Sequence, residues 1–154
     1  DCQPLDLRLP IDDACARLQA LIFERSAVVH LPDALPTVLG DSKLLAQLFQ
    51  NLISNAIKFQ PGEQPRVDLT VTDVGDFVRV DVRDYGIGIE ARHFERIFRI
   101  FQRLHTQDEF LGSGIGLSIC EKIARLHGGS IQVSSVPGNG SCFSVLIQRV
   151  SAEP

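Results

Sequence analysis

The sequence predicts one β-sheet with helices over one face, an α+β or mixed α/β sandwich. Three observations lead there. Segments with helical periodicity alternate with pairs of strand-like runs. Each strand pair is joined by a short glycine-containing turn, as an antiparallel hairpin requires. No repeat, low-complexity tract or linker divides the 154 residues, so residues 1–154 are read as a single domain, long enough to bury a core.

The elements follow in order. Residues 11–26 (IDDACARLQALIFERS) place Ile11, Ala14, Leu18, Leu21 and Ile22 on one helical face. A short extended piece, VVHL, comes next; Pro32 and Pro36 break the chain, and VLGD is a second short strand candidate. Asp41 or Ser42 can cap a long helix that runs to about Phe59 and stops at Pro61-Gly62. Val67, Leu69 and Val71 alternate with polar residues, as do Val78, Val80 and Val82, with Asp73-Val74-Gly75-Asp76 as the turn between them. Residues 90–113 are mixed, with a helical turn expected around Phe94 to Phe101. A helix from about Gly114 to His127 should end at Gly128-Gly129. Strands at 130–135 and 141–148 flank Pro137-Gly138-Asn139-Gly140, a hairpin turn.

Bulk properties narrow the function. Net charge is −4, which argues against a nucleic-acid partner. No apolar run approaches the ~18 residues that cross a bilayer, so no direct membrane contact is expected. The first residue is not Met and no signal peptide is present, so the chain reads as part of a longer protein. Cys2, Cys15, Cys120 and Cys142 are scattered, with no C-x-x-C pair and no histidine at metal spacing. Buried or incidental thiols in a reduced, cytoplasmic protein fit best.

Chemistry concentrates in three places. On the helix DSKLLAQLFQNLISNAIKF the apolar residues share one face, while Gln47, Asn51, Asn55 and Lys58 form a stripe beside it. A solvated face is the ordinary reading of such a stripe. Asparagine, however, competes for backbone hydrogen bonds and is a poor choice inside a helix, where Lys, Glu or Gln would serve solvent better. A carboxamide oxygen is a hard neutral ligand suited to Mg²⁺, and a nearby lysine can neutralise phosphate. The second place is DYGIGIEA, where alternation turns Asp84 to the same side as Val78, Val80 and Val82. A carboxylate there needs donors. It either caps its own turn or meets a ligand such as a purine amine, with Gly86 and Gly88 letting a flat ring approach the backbone. With Ala91 this stretch also matches a G-x-G-x-x-A dinucleotide fingerprint, but the strand before it sits in a hairpin and no helix follows directly. The third is LGSGIGLSI, where Gly112, Gly114 and Gly116 precede a helix whose first amides can bind an anion. A hinge would need fewer glycines, and no Walker lysine follows, so Lys58, Arg99 and Arg103 are the available cations.

Taken together these stretches resemble the ATP-binding domain of sensor histidine kinases. QLFQNLISNAIKF resembles the N box, DYGIGI the first glycine box, FERIFRIFQRL the F box, GSGIGLSI the second glycine box, and HGGSIQVSSVPGNGSCFSV the closing strand pair. The boxes occur in the family's order from Leu5 to Ile147, and FQRLHTQDEFLGSGIGLSIC is most similar to kinases of the phytochrome-linked type. The resemblance implies the GHKL fold, a two-layer sandwich with a mixed β-sheet packed against about three helices and a mobile ATP lid. It implies that Asp84 binds the adenine amine with Gly86 and Gly88 beside the ring, and that Phe59 packs near the base. It implies that Asn55 coordinates Mg²⁺, that Lys58 contacts phosphate and that Asn51 lines the same site. Gly112, Gly114 and Gly116, with Leu117 next to them, would hold the phosphates, and Arg103 would reach the γ-phosphate.

The resemblance also carries a mechanism. In the related chaperone and gyrase ATPases the first N-box position is a glutamate that activates water. Asn51 stands there in this sequence and cannot act as a general base near neutral pH. The site would then hydrolyse poorly, yet still deliver phosphate to a nucleophile with its own basicity, such as a histidine imidazole. The family's phosphoacceptor sits in an H-E/D-x-x-N/T-P/R pattern on a separate dimerisation domain. His30, His93, His105 and His127 do not fit it. The expected function is therefore Mg-ATP binding and γ-phosphate transfer to a histidine of that other domain, with a response regulator downstream. The stretch itself is expected to be monomeric and not to phosphorylate itself. A GHKL-type ATP hydrolase and a non-catalytic nucleotide sensor are the rival readings. His105 in the lid is read as an exposed loop histidine and His127, at a helix C-terminus, as interacting with the helix dipole.

Overall fold

Period-2 alternation builds the sheet. The computed structural model describes residues 2–58, 60, 62, 64–86, 114–135 and 138–150, with 114–116 described by backbone alone. Strands β4 (Arg66–Val74) and β5 (Phe77–Asp84) pair antiparallel from Val67↔Asp84 to Val74↔Phe77. The pairing runs to the end of both strands, so only Gly75-Asp76 form the turn, tighter than the four residues the sequence predicts. β7 (Ser141–Gln148) pairs with β5 on one side and with β6 (Ile131–Ser135) on the other, both antiparallel. β2 (Val28–His30) joins β4 in parallel, which makes the sheet mixed, in the order β2-β4-β5-β7-β6.

A second antiparallel pair joins β1 (Gln3–Asp6) to β3 (Thr37–Gly40). The sequence anticipates β3 but not β1, whose four residues include a proline and carry no readable alternation. A bridge from Val38 to Arg149 ties this pair to the end of the chain's last strand.

Helices α1 (Arg8–Arg17), α3 (Ser42–Lys58) and α4 (Gly114–Leu126) supply the other half of the core. The expected helix over 11–26 is divided. α1 ends at Leu18, whose φ of −97° and ψ of 9° turn the axis before α2 (Gln19–Arg25) begins. Leu18 stays buried through the bend, while α2 buries none of its residues. Neither glycine nor proline marks the bend, which is why periodicity runs across it.

The sheet's inner face (Val67, Leu69, Val78, Val80, Val82, Phe143, Val145 and Ile147) meets the buried faces of these helices. Leu45, Leu48, Phe49, Leu52, Ile53 and Ile57 make α3 the central helix, each side chain at 1% exposure or less. Burial of one such side chain contributes about 1.5–3 kcal/mol, so the position of α3 is fixed by several independent contacts. Its N-terminus is capped as the sequence predicts, with the Asp41 carboxylate accepting the Leu44 N–H at 3.0 Å. That bond holds the Asp41 carboxyl below the ordinary aspartate range. α4 ends in a glycine cap. Gly128, at φ +75°, donates to Arg125 O, and Gly129 N–H returns to Ala124 O at 3.0 Å.

Candidate functional site

Asp84 occupies the last rung of β5, opposite Val67, and alternation turns it into the core layer. Its side chain has no solvent exposure. Oδ1 accepts two backbone N–H groups, Gly86 at 2.9 Å and Ser141 at 3.2 Å. Oδ2 is buried with no hydrogen-bond partner among the described residues. Burial pushes the carboxyl up to about 6, against the Gly86 and Ser141 bonds and the Arg83 charge, which pull it down. Two backbone donors thus orient the group, and the second oxygen keeps the capacity to accept a further N–H group.

The β6–β7 turn completes this corner. A Cβ on Gly140, at φ +86°, would lie 2.2 Å from the Asp84 carbonyl oxygen and 2.9 Å from Tyr85 Cα. Only glycine lets the turn press against the end of β5, and that approach brings the Ser141 N–H to the carboxylate. Ser135 Oγ–H donates to Gly140 O at 2.9 Å and lies 3.1 Å from Ser141 Oγ. Sequence reasoning treats this stretch as a hairpin turn alone and misses Ser135, Gly140 and Ser141. One signal was available. Alternation puts Ser141 on the same face as Phe143 and Val145, a polar residue at an inward position.

The asparagine stripe of α3 is graded in exposure and not uniformly solvated. Asn55 is buried at 7% exposure, Asn51 is half-buried and Lys58 is exposed at the helix end. Asn51 hydrogen-bonds the Cys120 thiol of α4. That thiol lies 3.7 Å from Leu48 O, and burial pushes it up to about 12, so it serves packing and not reactivity. α3, which carries the N-box residues, lies against α4 and against β4 and β5, the strand that ends at Asp84.

Two further contacts set the ends of α3. His127 Nδ1 lies 2.8 Å from Ile123 O and must donate to it. Nε2 then accepts the Asp41 N–H at 3.0 Å, so a neutral imidazole ties the end of α4 to the start of α3. The ring meets the helix end through these specific hydrogen bonds, where the sequence suggests an interaction with the helix dipole. Beyond Lys58, the Arg25 guanidinium donates to Ile57 O at 3.5 Å, to Gln60 O and to Gly62 O at 2.8 Å. The Gln60 amide pairs with the Arg66 backbone, donating to its O at 2.8 Å and accepting its N–H at 3.1 Å. Sequence reasoning does not find this clamp, because Arg25 and Gln60 carry no local pattern and meet only in the folded chain.

Gly114 and Gly116 fall in the first turn of α4, where amides lack intrahelical acceptors. Leu117 follows them, and its side chain is part of the core at 1% exposure. Any ligand would meet its backbone and not its side chain. Phe59, Gly88, Arg103 and Gly112 lie outside the described residues, as do the F box, the lid with His105, and His93. No group of three or more His, Cys, Asp or Glu side chains at metal spacing occurs among the described residues. No described helix is long and apolar enough to cross a membrane.

Residues 40–151 match the family of histidine kinase-, DNA gyrase B- and HSP90-like ATPases. Cyanobacterial phytochrome A from Nostoc sp. is 46% identical over 92% of this chain, which spans only 18% of that protein. The catalytic domain of the histidine kinase ThkA superposes with a TM-score of 0.80 at 28% identity, over 97% of this chain and 96% of that one. Full-length ShkA, solved in complex with AMPPNP, superposes with a TM-score of 0.81 at 27% identity, covering 99% of this chain and 32% of ShkA. ATP binding and a kinase role are general to histidine kinases of this family, and the mixed five-stranded sheet under its helices is their GHKL fold. The chain belongs to the family of histidine kinase-, DNA gyrase B- and HSP90-like ATPases, among relatives that are phytochrome-like and sensor histidine kinases.

Proposed function

We propose that this chain is the ATP-binding catalytic domain of a longer sensor kinase. It would bind Mg-ATP and pass the γ-phosphate to a histidine on a separate dimerisation domain, which in turn serves a response regulator. The observation that carries the reading is Asp84, a buried carboxylate with one oxygen held by two backbone amides and the other without a partner among the described residues. The adenine exocyclic amine supplies the missing donor. A charge-assisted bond of this kind, made in a dry corner, selects a base with an amine over one without it.

In this reading Gly86 and Gly88 admit the ring, with Phe59 at its edge. Gly112, Gly114 and Gly116 direct amides toward the phosphates, with Lys58 and Arg103 as the cations. Asn55 would hold Mg²⁺ through its neutral carboxamide oxygen, and the ion would supply charge neutralisation at the phosphate oxygens. Asn51, held by the Cys120 thiol, is no general base, and water is not activated. The incoming imidazole nitrogen uses its own lone pair on the γ-phosphorus while the bond to the β–γ bridging oxygen breaks. ADP leaves, and the imidazole gives up its proton. The chain's part is positioning and charge stabilisation, the main contribution of protein to phosphoryl transfer.

The test mixes the chain with the segment encoded immediately upstream in its gene, Mg²⁺ and γ-labelled ATP. Acid-labile label should appear on the upstream segment and fall by about a hundredfold or more with Asn55→Ala, as expected when a positioning and charge-stabilising group is lost. Tight ATP binding with no label transferred would favour a nucleotide sensor. Phosphate release without any acceptor would favour a hydrolase.

A further inference from the structure

The solvent face of the sheet carries a cluster that phosphoryl transfer does not use. Tyr85 follows Asp84 directly, and alternation turns it the opposite way, outward and 43% exposed. Two guanidiniums meet its ring, Arg66 of β4 at 5.1 Å and Arg83 of β5 at 5.0 Å from the centroid. Its hydroxyl donates to Asp68 Oδ2 at 2.5 Å, and Asp68 Oδ1 accepts Arg66 Nε at 3.1 Å. A large exposed aromatic is thus held by three side chains from two strands.

The location matters more than the contacts. The β4–β5 ladder ends at Val67↔Asp84 and the β5–β7 ladder at Arg83↔Cys142. Tyr85 is therefore the first residue past the paired strand, and Gly86, whose N–H reaches Asp84 Oδ1, comes next. No rung holds the chain at this point. Gly140 bears on Tyr85 from the β7 side, where a Cβ would come within 2.9 Å of Tyr85 Cα. The ring and its three partners hold it from the outer face.

We infer that Tyr85 is a positioning residue for base recognition: clamped by Arg66, Arg83 and Asp68, it fixes the turn at residues 84–86 so that Asp84 Oδ1 is occupied by Gly86 and Oδ2 is presented to the base. The inference rests on the adenine site proposed above. It differs from a general packing role in what it predicts. A loosened turn lets the carboxylate rotate without disturbing the phosphate side, so the loss falls on discrimination between bases. A side chain that only packs would change stability and leave discrimination alone.

The experiment compares the affinities of the chain for ATP and for inosine triphosphate, which carries a carbonyl in place of the exocyclic amine. Tyr85→Ala should lower the preference for ATP on the order of fivefold, from the loss of two cation–π contacts and one hydrogen bond, while inosine triphosphate affinity stays within about twofold. Tyr85→Phe keeps the ring between the guanidiniums and should stay within about twofold of the native preference. Arg66→Gln with Asp68→Asn should reproduce part of the loss, and should add nothing in the Tyr85→Ala background. That pair carries the test if Tyr85→Ala does not fold; Arg83 is left in place because its charge also acts on Asp84. An unchanged preference in Tyr85→Ala, or in the Arg66/Asp68 pair, beside a lost preference in Asp84→Asn overturns the inference and leaves the adenine site standing. An unchanged preference in Asp84→Asn removes the site, and the inference with it.

Discussion

A carboxylate that folding buries must be stabilised by something, and Asp84 has only half of what it needs. Its carboxyl moves from the ordinary 3.8 up to about 6 on burial. Between about pH 4 and 6 the folded chain keeps a proton that the unfolded chain has released, so the stability tied to this group is full at acid pH and lost as pH rises through about 6. At about 1.4 kcal/mol per pKa unit, the ionised group costs about 3 kcal/mol at neutral pH. Asp84→Asn removes that cost but leaves an amide nitrogen buried and unpaired, which takes back about 1–3 kcal/mol. Without nucleotide the variant should therefore melt at or above the native chain at pH 7.5, with its relative standing falling steadily towards pH 4. Calorimetric melts across that range check it; a pH-independent difference would show that Asp84 does not carry the strain. Nucleotide affinity has the opposite sense. A protonated Asp84 offers a donor to the adenine amine, another donor, so Mg-ATP affinity should fall as pH drops below about 6, approaching tenfold per unit. Asp84 is the residue that the sequence revealed most fully, because alternation fixes the face of a strand residue with no tertiary knowledge. The unpartnered state of Oδ2 was not legible. It depends on Ser141 and Gly140, which are distant in sequence.

Elements set how well such residues can be read in advance. α3 was legible from its capping aspartate to Lys58, since it has a strong apolar face, while the expected end at Phe59 and Pro61 lies outside the described residues. The two asparagines stood out because they are wrong for a solvated helix, and Asn55 is buried while Asn51 is half-buried. The division of α1 from α2 was hidden, because a bend at Leu18 needs no special residue. The β6–β7 turn shows a third case. Its glycines announced a hairpin, but the need for glycine at 140 comes from the neighbouring strand, not from the turn. Gly140→Ala would force a methyl to within 2.2 Å of the Asp84 carbonyl oxygen in a left-handed conformation. We expect it to cost about 2 kcal/mol or more and to weaken Mg-ATP binding beyond what Gly138→Ala does, although both glycines have positive φ. Gly138 has open space around its Cα and isolates the backbone term. Paired denaturant melts and nucleotide titrations of the two variants separate strain from site damage; equal nucleotide affinities would detach the turn from the pocket.

At the scale of the molecule, a mixed sheet with helices over one face has two unlike sides. The helix side holds the N-box residues, the glycine-rich helix and the end of β5 in adjacent layers. The open side holds the charged ladder of Arg66, Asp68, Arg79, Asp81 and Arg83 with Tyr85 at its edge. The fold class and the order of most elements could be written from the sequence, because hydrophobic period and turn chemistry agree along the chain. The two-stranded β1–β3 sheet and the Arg25–Gln60 clamp could not, since both are made of contacts between segments without local signatures. The chain spans a fifth or less of the phytochrome relatives it matches, so its chemistry is proposed as one half of a reaction whose acceptor lies elsewhere.

The central claim is that the free oxygen of Asp84 receives the nucleotide base. Titration of Mg-ATP into the native chain and into Asp84→Asn at pH 7.5, followed by calorimetry, tests it most directly. The account predicts that the native chain binds and that the variant, still folded, binds at least about tenfold more weakly, the worth of one charge-assisted hydrogen bond. Equal affinity in the two proteins would contradict it, and the buried carboxylate would then need another purpose.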